Sequence, residues 1–134
     1  METGTVTLTL DELRAQIASE GRIALYGLHF DSGSARIQET SRPTLETIVE
    51  YLLENPRRSF YVVGHTDDEG SFGSNLELSR ARAESTVRAI VARLPDAGDR
   101  LEPHGVGPLA PVATNQQPDG RQLNRRVELV SALD

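Results

Sequence analysis

The hydrophobic positions of this chain repeat with two periods, and the two periods predict strands and helices in turn. Residues 5–10 alternate strictly between polar and apolar, which predicts a half-buried strand. Asp11 is a suitable N-cap for a short helix that ends at Gly21. We therefore expect residues 1–22 to form a strand–helix extension packed on a main domain of residues 23–134.

Apolar runs predict the strands of the main domain. They are Arg22–Phe30, Phe60–Val63, Leu101–Val106 and Arg126–Val130. The second run carries no alternating polar side, so we expect it to be buried on both faces of its sheet. Pro103 cannot donate a ladder hydrogen bond, which places the third run near a sheet edge.

Two segments with the helical period separate these strands. The first is expected to begin at Thr40 or Ser41, and its apolar stripe comprises Leu45, Ile48, Val49, Leu52 and Leu53. The second is expected to begin near Asn75, and its core face comprises Ala83, Val87, Ile90, Val91 and Leu94. The elements together predict an α/β sandwich of the α+β type, in which helices pack on a mixed β-sheet of about four strands.

Composition narrows the possible functions. The 134 residues suffice for one hydrophobic core, and the absence of cysteine excludes thiol and zinc-finger chemistry. A formal charge of −6 and only three Phe and three Tyr argue against a nucleic-acid partner. No apolar run has the length of a membrane span, and the first residues do not resemble a signal peptide. An exported protein would thus be represented here by a fragment, with any membrane anchor on an upstream segment.

The candidate site lies between the second strand and the second helix. Asp67 follows the strand in a loop rich in Asp and Gly, and such loops commonly carry binding groups. Arg82 shares a helical stripe with Asn75 and Leu78, whereas Arg80 lies about 200° around the helix from it. Arg82 is therefore the better candidate for a basic partner of Asp67 across a small pocket. The alternative is that Asp67 caps a turn and Arg82 is a solvated charge.

Short motifs occur in a fixed order along about residues 25–130. They are Phe30-Asp31, Gly64-His65-Thr66-Asp67, Asn75, Leu78-Ser79, Arg82-Ala83, Gly105-Val106-Gly107 and Asn124-Arg125-Arg126-Val127-Glu128. In this order they resemble the signature of OmpA-like peptidoglycan-binding domains, such as those of OmpA, the peptidoglycan-associated lipoprotein and the flagellar stator protein MotB. The motif set is more specific than any of its members.

The resemblance implies non-covalent binding of peptidoglycan through the diaminopimelate of its stem peptides. Such a domain anchors an envelope protein to the cell wall, in the periplasm or at the outer membrane of Gram-negative cells, without enzymatic activity and without a cofactor. The oligomeric state stays open.

The resemblance also implies roles for individual residues. The positions that match Asp67 and Arg82 hold the ammonium and the carboxylate of diaminopimelate. The match to Asn75 hydrogen-bonds the ligand, and the match to Arg125 lines the pocket. The predicted peptidoglycan-binding set further includes Leu78, Phe30 and Asp31.

One departure from the family pattern is the acidic pair Asp68-Glu69 directly after Asp67. Three adjacent carboxylates repel one another, but they also strengthen the attraction for an ammonium group. The sequence does not decide which effect is larger.

Two alternatives remain at this point. His29, His65 and His104 each lie at a predicted strand end, where histidines and carboxylates could form a metal-binding or hydrolytic site. The other alternative is a structural interaction domain that no longer binds a ligand.

Overall fold

The structure, a computed structural model, describes residues 7–132 of the chain. The helices are α1 (Leu10–Glu20), α2 (Arg42–Glu54), α3 (Phe72–Arg93) and α4 (Pro118–Asn124). The strands are β1 (Arg22–Ala24), β2 (Phe60–His65), β3 (Leu101–Gly105) and β4 (Arg126–Ser131). Two 3₁₀ turns, Glu39–Ser41 and Pro95–Arg100, precede α2 and β3.

The strands form one mixed sheet in the order β1-β4-β2-β3. The β1–β4 and β2–β4 pairs are antiparallel, and the β2–β3 pair is parallel. Helices pack on this sheet, which confirms the predicted α+β sandwich. Strand β3 lies at a sheet edge, as Pro103 predicts.

The core lies on the helix side of the sheet. Val62 of β2 pairs with Leu129 of β4, and both side chains are fully buried together with Ile48 and Ile90 from the helices. Tyr61 points to the other face and is 38% exposed. The prediction that the second strand is buried on both faces is therefore wrong, because the helices cover only the face that carries Val62.

The N-terminal elements differ from the prediction within the described residues. Thr9, not Asp11, is the N-cap of α1: its hydroxyl accepts from the amide of Glu12, whose side chain accepts from the Thr9 amide. This capping box starts the helix at Leu10, so the predicted strand is wrong over residues 7–10, while residues 5–6 lie outside the described range. Gly21 ends α1 in the left-handed conformation, as predicted.

Helix α1 belongs to the same core as the rest of the chain. Its buried residues, Leu13 and Ile17, are part of the hydrophobic cluster formed by residues 7–132, and the helix packs against α2 and β1. The predicted first strand of the main domain is much shorter than expected. It ends at Ala24 because a turn at Tyr26-Gly27 interrupts it, and Phe30 forms only an isolated bridge with Ile37.

The position of α3 sets up the candidate site. The helix begins at Phe72, earlier than predicted, because the hydroxyl of Ser71 caps it by accepting from the Ser74 amide. Gly64 of β2 lies directly against the backbone of Ser79, where a Cβ atom would overlap the Ser79 carbonyl. This close approach brings the first half of α3 beside the end of β2.

Within residues 7–132, no helix is both long enough and apolar enough to cross a membrane.

Candidate functional site

Asp67 lies in the loop after β2 and is nearly enclosed, with 8% of its side chain exposed. Its Oδ1 accepts a hydrogen bond of 3.0 Å from the Glu69 amide, which tightens the loop. Its Oδ2 pairs with Nη1 of Arg125 at 2.5 Å. The basic partner of Asp67 in this structure is therefore Arg125, which directly follows α4, and not Arg82.

Arg82 is held by backbone and aromatic groups instead of a carboxylate. Its Nε donates to the Ser34 carbonyl at 2.7 Å, and its Nη2 donates to the Asp31 carbonyl at 3.2 Å. The guanidinium lies 5.0 Å from the centre of the Phe30 ring. Burial, and then the charge of Arg125, lower the pKa of Arg82. Among the described residues, no carboxylate lies within ion-pair distance of this guanidinium.

Arg82 and Arg125 meet at a small, partly open cavity. The cavity measures about 20 Å³, and its other lining residues are Leu28, Phe30, His65, Arg126 and Val127. That volume holds about one water molecule. Asp67 does not line this cavity; Arg125, which does, pairs with Asp67 and so connects the cavity to the predicted site.

The remaining predicted site residues differ in whether their side chains face the site. Asn75 is buried, and its Nδ2 donates to the Glu69 carbonyl at 2.8 Å, so it shapes the loop that carries Asp67. The side chain of Asp31 binds Arg36 and Gln38, and only its carbonyl reaches Arg82. Leu78 lies half-buried on α3. The structure therefore brings together Asp67, Arg125, Arg82 and Phe30, with Asn75 behind them and the Asp31 side chain turned away.

A second ion pair, which sequence reasoning missed, links α4 to the same loop. Nε of Arg121 lies 3.5 Å from Oε2 of Glu69, and Arg125 follows Arg121 by one helical turn, its amide donating to the Arg121 carbonyl. Glu69 and Asp67 are correspondingly two residues apart in the loop. The two arginines four residues apart and the two acids two residues apart could have indicated this second ion pair from the sequence. The predicted repulsion among three adjacent acids is offset because two of them have arginine partners, while Asp68 is exposed.

Asn124 positions α4 against the preceding loop. Its Oδ1 accepts from the amides of Val112 and Ala113, and its Nδ2 donates to the Ala113 carbonyl and to Asn115. Asn124 is fully buried, so these bonds are shielded from water. The end of α4, and with it Arg125, is thereby held at a defined place.

A buried ionic cluster lies directly beside the site. Nε of Arg126 donates to Glu128 at 2.7 Å, and Arg22 reaches the same carboxylate at 3.1 Å. Burial raises the pKa of Glu128, but the hydrogen bond and charge of Arg126, with His65 and Arg22, outweigh it and lower the pKa overall.

His65 completes this cluster without a hydrogen bond. Its Nε2 lies 3.9 Å from Glu128, and neither ring nitrogen has a hydrogen-bond partner among the described residues. Burial, followed by the charge of Arg126, lowers the pKa of His65 to about 4. The ring is therefore neutral at physiological pH.

The metal-binding alternative finds no support in residues 7–132, which contain no group of three or more His, Cys, Asp or Glu side chains arranged to hold an ion. His29 binds the Thr40 hydroxyl through Nδ1, and His104 binds Glu102 through Nε2. Each of these histidines thus has a local partner of its own.

The OmpA family matches residues 29–125 of the chain. The probable lipoprotein YiaD of Escherichia coli (strain K12) is 37% identical over 100 residues, which are 75% of this chain and 45% of that protein. The peptidoglycan-binding protein ArfA of Mycobacterium tuberculosis is 36% identical over 101 residues, which are 75% of this chain and 31% of that protein. The chain thus spans less than half of the length of either relative.

Among solved structures, the cell wall anchor of the T6SS from Pseudomonas aeruginosa is similar over 96% of this chain and 100% of that chain. The TM-score is 0.71, and the sequence identity is 29%. The similarity extends beyond residues 29–125 and therefore includes most of the fold described above.

Proposed function

The chain belongs to the OmpA family, and we propose that it binds the peptidoglycan of the bacterial cell wall non-covalently. The observation that carries the proposal is the pair of complementary charges on the loop after β2 and on helix α3. Asp67 is a nearly enclosed carboxylate, and Arg82 is a half-buried cation that has no acidic partner among the described residues.

Relatives support this choice of ligand. One relative, 36% identical, is named a peptidoglycan-binding protein, and a similar structure is that of a cell wall anchor. We extend the same role to this chain. It then attaches a longer envelope protein to the cell wall from the periplasm or the outer membrane.

The chemistry of the site favours a diaminopimelate-containing stem peptide. The side-chain end of diaminopimelate carries an ammonium and a carboxylate on one carbon, so it offers one partner to Asp67 and another to Arg82. A guanidinium grips a carboxylate through two parallel hydrogen bonds, which a lysine ammonium cannot do. Phe30 supports the Arg82 guanidinium from one side, and Asn75 holds the loop of Asp67.

A single site of this size binds weakly. Each charged hydrogen bond contributes about 1.5–3 kcal/mol, and the cost of association reduces the sum to micromolar-range affinity or weaker. Firm attachment to the wall then comes from many copies or from a membrane anchor, through effective concentration.

Co-sedimentation with purified insoluble peptidoglycan tests the proposal. Asp67→Ala and Arg82→Ala should each abolish sedimentation, whereas Arg80→Ala should bind like the wild type because Arg80 is exposed and pairs with Glu84. Circular dichroism checks that each variant is folded, which matters for Arg82 because it also anchors the loop of Ser34. Wild-type sedimentation of either the Asp67 or the Arg82 variant would contradict the assigned site.

Calorimetry with soluble stem peptides tests the choice of diaminopimelate. A lysine-type peptide lacks the side-chain carboxylate and leaves Arg82 facing an empty space, so we expect it to bind about ten- to hundredfold more weakly. Equal affinity for the two peptides would rule out diaminopimelate as the determinant, even if binding to the polymer persisted.

A further inference from the structure

The ion pair between Asp67 and Arg125 has unequal partners. The Asp67 side chain is 8% exposed, whereas the Arg125 side chain is 44% exposed and contacts Asp67 through one nitrogen, Nη1. The carboxylate is thus fixed in the protein, and the guanidinium covers it from the solvent side. A ligand ammonium that approaches Asp67 meets Arg125 first.

The other acids near Arg125 are already engaged. Glu69 pairs with Arg121, and Asp31 pairs with Arg36. If Arg125 leaves Asp67, the exposed Asp68 is therefore the one acid near it, among the described residues of these two loops, that is not already paired. Arg125 stays beside Arg82, with which it lines the small cavity, and the two like charges repel.

From these contacts we infer that Arg125 determines specificity by exchanging ion pairs with the ligand. In the structure Arg125 pairs with Asp67. The ligand ammonium displaces it, and the freed guanidinium then binds the ligand carboxylate together with Arg82. The inference rests on the proposed function and adds to it the reason why a zwitterion is selected.

The exchange penalises a ligand that carries only a positive charge. Such a ligand breaks the Asp67–Arg125 pair, forms one new pair with Asp67, and leaves two arginines without an anion. A zwitterion breaks the same pair but forms two, one at each end of the site. The number of ion pairs therefore rises only when the ligand carries both charges. Arg125 thus lowers the affinity of the site for ligands that carry only a positive charge.

Calorimetry of Arg125→Gln with the two types of stem peptide tests the exchange. Removing Arg125 leaves Asp67 without a competitor, so affinity for the lysine-type peptide should rise by about three- to tenfold. Affinity for the diaminopimelate-type peptide should fall or stay constant, because the variant loses one carboxylate contact as it loses the competing pair. The selectivity of the wild type should shrink accordingly.

Arg121→Gln is the matched control. Arg121 lies on α4, four residues before Arg125, and pairs with the same loop, but through Glu69 and not Asp67. Arg121→Gln should leave the ratio of the affinities for the lysine-type and diaminopimelate-type peptides unchanged. If Arg125→Gln does not fold, as judged by circular dichroism, Arg125→Met provides a second neutral side chain with a similar apolar stem.

The outcomes separate this inference from the proposed function. If the wild type binds neither stem peptide nor the polymer, both are overturned. If the wild type binds but the neutral Arg125 variants bind the lysine-type peptide no better, the exchange is wrong and the proposed function stands. A gain in lysine-type affinity supports the exchange, because a merely structural role of Arg125 predicts a loss for both peptides.

Discussion

Two adjacent arginines, Arg125 and Arg126, form ion pairs of very different character. Arg126 is 2% exposed and uses all three nitrogens: Nε on Glu128, Nη1 on the Asn124 carbonyl and Nη2 on the Ala110 carbonyl. Arg125 is 44% exposed, and among residues 7–132 its side chain has a single hydrogen-bond partner, Asp67. The two side chains point to different surroundings because Arg126 is the first residue of β4 and Arg125 precedes it in an extended conformation, in which successive side chains alternate between faces.

The comparison distinguishes an ion pair that holds the fold from one that a ligand can open. A buried guanidinium with a partner on each of its three nitrogens cannot move without leaving charges and carbonyls unsatisfied. A half-exposed guanidinium with one contact can exchange that contact for another or for water. The Arg126–Glu128 pair therefore belongs to the buried structural cluster, and the Asp67–Arg125 pair is the exchangeable one.

Replacing each arginine by methionine gives the largest expected difference. Arg126→Met leaves Glu128 buried with less compensation and should lower the free energy of unfolding by about 3–5 kcal/mol. Arg125→Met should lower it by about 1 kcal/mol, because water reaches Asp67 when the half-exposed side chain is removed. Urea denaturation at pH 7 measures both. Similar losses in the two variants would contradict the division into a structural and an exchangeable pair.

Acid should destabilise the buried cluster through His65. Burial holds the pKa of His65 at about 4 in the folded protein, against 6.5 in an unperturbed histidine. Above pH 6.5 the ring is neutral in both states and contributes nothing. Below it the unfolded state binds a proton that the folded state does not, so stability falls by about 3 kcal/mol in total down to pH 4.

Urea denaturation between pH 7.5 and pH 4 measures this effect. His65→Leu should lose this part of the pH dependence, whereas His104→Gln, at an exposed histidine, should keep it. The lowered pKa of Glu128 adds a further loss of stability as the pH falls through the folded-state pKa, so both groups act in the same direction. An unchanged pH dependence in His65→Leu would contradict a neutral, buried His65.

The smallest effect is expected at the outer ion pair of α4. Glu69 is 66% exposed and lies 3.5 Å from Arg121, so a double-mutant cycle of Glu69→Gln and Arg121→Gln should give a coupling of at most about 0.5 kcal/mol. The same cycle for Asp67 and Arg125 should give a larger coupling, because Asp67 is nearly enclosed. A stronger coupling at Glu69 would show that α4 is held mainly by its outer pair.

Much of the fold followed from the sequence because short-range patterns specify it. The apolar stripes of α2 and α3 predicted buried Leu45, Ile48 and Ile90, and Gly21 predicted the end of α1. Family membership was predicted from ordered motifs and is confirmed. The errors in the bounds of the N-terminal elements had local causes: a capping box at Thr9 replaced a strand, and a turn at Tyr26 shortened another.

The sequence by itself determined the family and the mixed sheet with its helices. The ligand-binding roles of Asp67, Arg82, Asn75, Arg125, Leu78, Phe30 and Asp31 stay predictions. Only the tertiary structure decided which charges meet. Asp67 pairs with a residue 58 positions away, while Arg82 turns to carbonyls 48 and 51 positions away. Periodicity reports which face of an element a side chain occupies, but ion pairs between distant segments depend on how those elements pack.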